Sequence, residues 1–385
     1  VLTHILSIED CIDAVDVETI CILVGMMLLV AVIKNSGIFE YIAIKAAKIA
    51  KGRPWPIMVI FILITAVCSG MLDNVTTVLL VGPMTLAITN ILKVDPVPYI
   101  ITQIMASNIG GTATLIGDPP NIMIGSAAKL SFVDFILNTG VATVFVIIVG
   151  LICMYFIYGR KLFVTDESIA KVMQLDENKA IKDRKLMHES VIVIILVALC
   201  FIFHDQLGVQ SCTVAIAAAC IMLLIGGQEP EEIIADVEWP TILFFIGLFI
   251  VVGGMKKVGV ITMLANGLIS ITHGNMVVTM MVILWVSAIV SSFLDNIPFV
   301  ATLIPMILTM QSEGMDVAPI WWALSLGACL GGNGTLIGAS ANVVLSGISK
   351  NNGHPITFGQ YFKIGFPMMI LSIIVCSVFL LIRFA

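Results

Sequence analysis

Two aspartates, Asp73 and Asp295, lie in segments that otherwise carry no charge. Asp73 separates the uncharged stretches 54–72 and 74–92, and Asp295 follows the uncharged stretch 258–294. A carboxylate at the centre of an apolar layer as thick as a bilayer costs about 3 kcal/mol on insertion scales and marks an ion path or a proton relay. Asp followed by Asn is also a favourable helix start, so a capping role is the structural alternative. The two roles are compatible.

A second stretch, residues 107–126, reads SNIGGTATLIGDPPNIMIGS and places glycines, prolines and polar side chains in an apolar setting. Proline removes an amide donor and clashes with the preceding turn, so one uninterrupted helix is excluded. We predict two half-helices joined by an unwound linker, an arrangement that binds anions at helix amino ends and cations at freed carbonyls. Residues 329–345 repeat the pattern with Ala339 where the first stretch has Asp118, so the two sites should be related but unequal.

These segments supply the candidate ion-binding or substrate-binding residues, and no catalytic residue is predicted. Carboxylates, amides and hydroxyls can bind a cation or hydrogen-bond a small polar molecule, and glycines let the backbone approach it closely. The candidates are Asp73, Asn74, Thr76, Asn108, Gly111, Thr112, Thr114, Asp118, Asn121, Asp295, Asn296, Asn333, Gly334, Thr335, Ser340 and Asn342. No Cys/His spacing typical of a metal site and no nucleotide-binding motif accompanies them.

The motifs occur twice because the chain contains an internal repeat. Residues 71–86 and 293–308 match at 7 of 16 positions with an offset of 222, including Asp73/Asp295 and their following asparagines. Residues 110–124 and 331–345 match at 7 of 15 positions with an offset of 221. Aliphatic composition alone would not align Asp, Asn, Pro and Gly in order. We predict a first repeat over 1–158, a charged connecting loop over 159–189 and a second repeat over 190–385.

Composition places these repeats in a membrane. Of the 385 residues, 59% are hydrophobic and 11% are charged, and the mean hydropathy is +1.10. Uncharged windows of about 20 residues are long enough to span a bilayer, so a water-soluble enzyme is excluded and the fold class is an all-α polytopic membrane protein. A net charge of −6 offers no basic face for nucleic acid.

The uncharged windows predict spans over residues 18–38, 54–72, 97–127, 132–158, 189–206, 210–227, 239–256, 276–294, 317–348 and 359–383. Residues 74–92 and 296–312 are predicted re-entrant helical hairpins, each paired with a broken helix in its half, so that the halves are inverted. Two basic segments, 45–53 and 160–185, are then expected on opposite faces, with 39–53 as an interfacial amphipathic helix. The second half has two spans before its acidic lead-in, so we expect one or two helices to precede Val1.

The stretches LDNVTTVLL, SNIGGTATLIGDPPNIMI and FLDNIPFVATLIPMIL resemble the arsenite permease/NhaD sodium–proton antiporter/P-protein family. This family belongs to the ion-transporter superfamily that includes the citrate and dicarboxylate carriers. The resemblance implies a two-repeat carrier in which the hairpin and broken-helix positions form ion sites. These match Asn74, Thr114, Asn121, Asn296, Thr335 and Asn342, with Na⁺ implied at the four asparagines. The hairpins read Asp-Asn where dicarboxylate carriers read Ser-Asn-Thr, which argues against a citrate-type substrate.

The predicted function is secondary active transport of a small inorganic anion or metalloid such as arsenite, with H⁺ or Na⁺ as coupling ion and no other cofactor. Na⁺/H⁺ antiport is the alternative, followed by a di- or tricarboxylate symporter and an anion channel; an intramembrane aspartyl protease is disfavoured. The predicted location is the membrane, plasma or inner membrane in a prokaryote. Predicted partners are the substrate ion and the lipid bilayer but no nucleic acid, with a second copy of the chain and a separate ATPase subunit as further candidates.

Overall fold

The computed structural model describes residues 5–385 apart from the side chains of His204 and Asp205, so the first four residues of the predicted first repeat lie outside it. Every regular element among the described residues is a helix. The first half contains α1 (Ile8–Asp13), α2 (Val17–Lys34), α3 (Ile38–Ile49), α4 (Pro54–Met71), α5 (Asn74–Leu92), α6 (Val97–Thr112), α7 (Pro119–Ala128), α8 (Phe132–Phe135) and α9 (Val141–Ile157), with one π-helical turn (Ile136–Gly140) between α8 and α9.

The charged connecting segment holds one short α-helix, α10 (Asp166–Met173), between two 3₁₀ turns (Gly159–Lys161 and Glu177–Ala180), and leads into the second half. The helices of that half are α11 (Arg184–Leu207), α12 (Ser211–Ile225), α13 (Pro230–Ala235), α14 (Trp239–Lys257), α15 (Val260–Thr272), α16 (Met276–Phe293), α17 (Asn296–Ser312), α18 (Ala318–Gly331), α19 (Ser340–Asn351) and α20 (Phe358–Phe384).

Eight helical segments of the described chain are long and apolar enough to cross a membrane, which fits the predicted multi-pass fold. They are Val17–Lys34, Pro54–Met71, Asn74–Leu92, Phe132–Lys161, Arg184–Phe203, Trp239–Lys257, Met276–Phe293 and Phe358–Phe384. Each exceeds the roughly 17 residues at the lower limit for a span. The protein is therefore an integral, multi-pass membrane protein.

The two predicted broken helices are present. In the first, α6 ends at Thr112 and α7 begins at Pro119. Proline is well tolerated at the first position of a helix, because the amide of that residue has no helical acceptor. In the second, α18 ends at Gly331, a single 3₁₀ turn follows, and α19 begins at Ser340. α6 and α18 are buried along almost their whole length, and most linker residues are buried as well, with Ile337 of the second linker exposed. Irregular backbone at membrane depth is tolerated where protein surrounds it.

The predicted hairpins have different boundaries in the structure. The predicted re-entrant turn within each of two segments, Asn74–Leu92 and Asn296–Ser312, is wrong. Each segment is a single helix that contains an internal proline. The reversal instead lies at the amino end of each helix. Leu72 and Asp73 alone join α4 to α5, so α4 and α5 together form the first hairpin, with Asp73 at its tip. α16 and α17 form the second hairpin in the same way.

One helix, α15, is absent from the predicted spans, which leave residues 257–275 without structure. It begins at the repeat offset from α3, and both helices follow a glycine with positive φ, 81° at Gly37 and 80° at Gly259. Gly adopts this conformation without a steric penalty. The internal repeat was therefore the signal that could have located α15.

The two basic segments lie on the same face of the protein, so the expectation of opposite faces is wrong. Lys48 Nζ lies 2.6 Å from Glu177 Oε2 and donates to the Leu175 carbonyl at 3.2 Å. Nearby, the Lys182 amide donates to the Ser36 carbonyl at 3.0 Å. The hydrogen bond from Lys48 lowers the pKa of Glu177 below its usual value. The physical reason is that α5 returns the chain to the side from which α4 starts, so the hairpin adds no net crossing.

Candidate functional site

A small cavity of about 30 Å³ lies where the amino ends of five helices meet beside the middle of α2. This volume holds one or two waters or a dehydrated ion. Its lining comes from both halves and consists of Leu23, Met27, Asp73, Asn74, Val75, Asp118, Pro119, Glu238, Thr241, Asn296, Ile297 and Ser340. None of these described lining residues is basic. Five of the predicted candidates therefore share one cavity, namely Asp73, Asn74, Asp118, Asn296 and Ser340.

Asp118 is a cavity carboxylate whose side chain does not cap the helix that follows it. It occupies the cap position of α7 but makes no side-chain capping hydrogen bond. Both of its carboxylate oxygens instead accept from Asn296 Nδ2, each at 3.2 Å. Both side chains are buried. The broken helix of the first half is thus joined directly to the hairpin tip of the second half.

Asp73 and Asp295 cap the helices that follow them, as the structural alternative predicted. Asp73 Oδ1 accepts from the Thr76 amide at 2.8 Å, and the Thr76 hydroxyl donates to Asp73 Oδ2. Asp295 Oδ1 accepts from the Ile297 amide at 3.1 Å, and its Oδ2 accepts from Ser340 Oγ at 2.9 Å. Asp73 is buried and lines the cavity, whereas Asp295 is half-buried and reaches the cavity only through Ser340.

Glu238 is a third cavity carboxylate, and it is absent from the predicted candidates. It stands just before the span that begins at Trp239, and Thr241 Oγ1 donates to its Oε2 at 3.2 Å. Burial and the neighbouring Asp73 carboxylate raise the pKa of Glu238. Glu238 is the repeat equivalent of Asp16, which accepts from Thr19 Oγ1 at 2.6 Å in the same way. The repeat therefore carried a signal that could have found it.

A second group of candidates forms a buried amide cluster between the broken helices. Asn108 Nδ2 donates to Asn333 Oδ1 and to Asn342 Oδ1, each at 2.9 Å. Asn108 Oδ1 is buried without a hydrogen-bond partner, although a buried acceptor normally has one. Because Asn108 comes from α6 and the other two come from the second half, this cluster also joins the halves.

Asn121 and Asn342 hold the unwound linkers closed. Asn121 Nδ2 donates to the Thr114 carbonyl at 2.9 Å, and its Oδ1 accepts from Ser325 Oγ at 2.6 Å. Asn342 Nδ2 donates to the carbonyls of Gly332 and Thr335 at 2.7 and 2.8 Å. Each asparagine thus satisfies carbonyls that the break deprives of helical partners. Their binding of Na⁺ stays a prediction, as it does for Asn74 and Asn296.

The remaining candidates stabilise the backbone around the breaks. The Thr114 hydroxyl donates to the Gly70 carbonyl, and the Thr335 hydroxyl donates to the Ser292 carbonyl, so each break is tied to its hairpin. Thr112 Oγ1 donates to the Asn108 carbonyl at 2.7 Å within α6. Glycine is required for close approach, since a Cβ on Gly111 would lie 2.6 Å from the Gly117 carbonyl oxygen and one on Gly334 would lie 2.3 Å from Ser292 Oγ.

The acidic cavity does not have the ligand set of a tight metal site. Within the part of the chain that the structure describes, no group of three or more His, Cys, Asp or Glu side chains is placed to hold a metal ion. The carboxylates are interleaved with amides and hydroxyls, a mixture that suits a proton or a weakly bound monovalent cation. Five helix amino ends add partial positive charge to the same place.

The sequence matches the citrate transporter family over residues 1–327. An uncharacterized transporter of Mycobacterium tuberculosis is 42% identical over 374 residues, which cover 96% of this chain and 87% of the relative. The P protein of Sus scrofa is 33% identical over 460 residues, which cover 98% of this chain and 54% of the P protein. The chain thus spans about half the length of the P protein.

A solved structure shares the fold. The Alcanivorax borkumensis YdaH transporter superimposes with a TM-score of 0.55 at 15% sequence identity, over 93% of this chain and 83% of that one. At this level of identity the likeness concerns the fold alone.

Proposed function

The chain belongs to the citrate transporter family of membrane transporters, within the ion-transporter superfamily, and we propose that it is a secondary active transporter whose coupling ion, H⁺ or Na⁺, binds at Asp118. The family membership and the similarity to P proteins agree with the resemblance carried by the Asp-Asn and Gly-Asp-Pro-Pro-Asn motifs. The transported substrate and the coupling ion are the parts of the function that this proposal adds.

The observation that carries the proposal is the contact between Asp118 and Asn296. A buried carboxylate that caps no helix and accepts from the Asn296 amide keeps lone pairs available for a proton or a cation. Its partner sits on the opposite half, so occupying Asp118 changes an interaction between the two halves. Coupling requires a bound ion that interacts differently with two arrangements of the protein, and a contact between halves offers that difference.

The substrate that fits best is small. The Asp-Asn hairpin tips depart from the Ser-Asn-Thr pattern of dicarboxylate carriers, which argues against a citrate-type substrate. A small inorganic anion would bind helix amino ends, and a neutral metalloid such as arsenite needs only hydroxyl and amide partners. Na⁺/H⁺ antiport is the second candidate. It is favoured by the three carboxylates of the cavity, Asp73, Asp118 and Glu238, because none of the described side chains that line this cavity is basic.

The arrangement of the helices supports inverted halves and an orientation. The first hairpin, α4–α5, opens toward the face that holds both basic segments. An odd number of crossings separates it from the second hairpin, α16–α17, which therefore opens toward the opposite face. The central connecting segment and 45–53 meet on the first face through Lys48 and Glu177. Cytoplasmic loops carry the excess of Lys and Arg, so we assign this face to the cytoplasm.

Flux measurements in proteoliposomes test the proposal. Uptake and efflux of arsenite, Na⁺, chloride and citrate are compared under imposed pH and Na⁺ gradients, with Asp118→Asn as the test variant and Asp13→Asn, an exposed aspartate, as the matched control. We expect a gradient-driven flux of one small ion that Asp118→Asn abolishes and Asp13→Asn retains. Gradient-independent single-channel currents, or coupling that survives Asp118→Asn, would refute it.

A further inference from the structure

A polar cavity of about 370 Å³, which we call the α7 vestibule, lies between α2, α7 and the turn that joins α11 to α12. A cavity of this size holds several water molecules. Lys129 and Gln210 of its lining are exposed, so the α7 vestibule is open to solvent. The polar residues of the lining are Glu18, Ser126, Lys129, Ser131, Gln210 and Ser211.

The α7 vestibule opens on the face opposite to the basic segments. α2 ends at Lys34 on the basic face, where the Ser36 carbonyl accepts from the Lys182 amide at 3.0 Å. Glu18, at the other end of this membrane-spanning helix, therefore lies on the opposite face. α11 begins just after Lys182 and also spans the membrane, so the turn between α11 and α12 lies on the same face as Glu18.

Three buried apolar side chains form the floor of the α7 vestibule, and each is close in sequence to the acidic cavity. Ile22, Leu115 and Ile122 are 2%, 3% and 2% exposed. Ile22 is adjacent to Leu23, which lines the acidic cavity. Asp118 follows Leu115 by three residues and precedes Ile122 by one helical turn, and the Ile122 amide donates to its carbonyl at 3.4 Å. Because α2 packs against α7, a layer of these three side chains separates the α7 vestibule from the acidic cavity.

A cavity of about 350 Å³ on the basic face is farther from the acidic cavity. It is lined by Lys34, Leu79 and Lys182, among other residues. Lys34 lies seven residues after Met27 on α2, and Leu79 lies four residues after Val75 on α5. At 1.5 Å per residue these steps are about 10 and 6 Å along the helices. The shorter connection between the acidic cavity and solvent therefore leads through the α7 vestibule.

Leu115 is the member of the floor that can move most easily. It lies on the unwound linker, whereas Ile22 and Ile122 belong to helices. Segments outside regular hydrogen-bonded structure open at a lower free-energy cost than helices do. The Leu115 side chain packs on Gly125, where an added Cβ would lie 2.1 Å from Leu115 Cδ1. The absence of a side chain at Gly125 thus provides the space that Leu115 occupies.

We propose that the α7 vestibule is the water-filled pathway by which the coupling ion reaches Asp118 from the face opposite to the basic segments, and that Leu115 is its gate. This inference rests on the ion site proposed at Asp118. A polar lining keeps an ion hydrated as far as the floor, and an apolar constriction blocks ions by excluding water. Movement of Leu115 away from Gly125 joins the α7 vestibule to the acidic cavity.

Cysteine labelling from each side of the membrane tests the pathway without measuring flux. A charged, membrane-impermeant methanethiosulfonate is added to intact cells or to inverted vesicles, and peptide mass spectrometry separates the new cysteine from the nine native ones. Ser126→Cys, in the wall of the α7 vestibule, should react from one side. Lys179→Cys, exposed on the connecting segment, should react only from the other side. A Ser126→Cys variant that is protected on both sides, or that reacts from the same side as Lys179→Cys, would overturn the proposal.

A second labelling experiment tests the gate. Leu23→Cys places a thiol in the acidic cavity, and Leu29→Cys is the matched control, because Leu29 is equally buried on α2 and lines neither cavity. The reagent is the small methyl methanethiosulfonate. Modification of a buried site follows the population of the open form, and a smaller gate exposes less apolar surface when it opens. Adding Leu115→Ala should therefore raise the labelling rate of Leu23→Cys about tenfold and leave that of Leu29→Cys unchanged.

Two results would overturn the gate. One is an unchanged labelling rate of Leu23→Cys after Leu115→Ala, and the other is an equal increase at Leu29→Cys, which would mean a general loosening of the protein. Labelling requires no ion flux. Failure of the gate is therefore distinguishable from failure of the transport proposal, which would appear as coupling that survives Asp118→Asn.

Discussion

Removing the amide of Asn296 should strengthen ion binding at Asp118, because this amide donates to the ion-free carboxylate, and should do so only while Asp118 is present. The Asn296 Nδ2 group contacts both oxygens of Asp118 at 3.2 Å. A hydrogen bond to a charged group contributes about 1.5–3 kcal/mol. Because the Asn296 contact is shared between two oxygens and is long, we expect its contribution to be near the lower end of this range. About 1.5 kcal/mol corresponds to a tenfold change in an equilibrium constant. Asn296→Ala should therefore lower the coupling-ion concentration for half-maximal flux about tenfold.

A double-mutant cycle in proteoliposomes measures this dependence. The variants Asn296→Ala, Asp118→Asn and their combination are assayed for flux against coupling-ion concentration, with Asn90→Ala, at an exposed position of α5, as control. Asp118→Asn is expected to abolish coupled flux, and because Asn296 is expected to act through Asp118, the double variant should be equally inactive. Coupled flux in the double variant would refute a shared site. A flux unchanged in Asn296→Ala would refute the assigned strength of the contact.

Three further predictions concern stability. Gly110→Ala should destabilise the protein by about 3 kcal/mol or more, since the new Cβ would lie 2.1 Å from the Ala66 carbonyl oxygen. Gly150→Ala is the control and should be neutral or slightly stabilising, because nothing lies within 4 Å of a Cβ there. Thermal unfolding in detergent compares the two variants. Asn108→Leu should lower the unfolding temperature by leaving two buried amide oxygens unpaired, each a loss of about 1–3 kcal/mol, and an unchanged temperature would contradict the amide cluster. Burial and Asp73 raise the pKa of Glu238, so the native state binds this proton more tightly than the unfolded state does, and the free energy of unfolding should fall as pH rises through that pKa. Glu238→Gln should remove this part of the pH dependence and be the more stable form at neutral pH. Unfolding scans from pH 4 to pH 8 would check both effects.

Interactions between residues close in sequence were sufficient to predict much of the fold of this protein. The scarcity of charge assigns the chain to a membrane, Asp-Pro-Pro interrupts a helix because proline lacks an amide donor and clashes with the preceding turn, and Asp-Asn begins a helix. Each of these effects acts over a few neighbouring residues, so α6–α7 and the caps at Asp73 and Asp295 could be predicted. The internal repeat also contained the positions of α15 and Glu238, although neither was derived from it.

Contacts between distant residues could not be predicted in this way. The pairing of Asp118 with Asn296 and of Asn108 with Asn333 depends on how the two halves pack, because neither partner has a local feature that selects the other. The shared face of Lys48 and Glu177 likewise follows from the direction in which α5 returns. A side chain's type and its neighbours indicate what it can bind, whereas three-dimensional packing selects which of sixteen plausible candidates meet around one cavity.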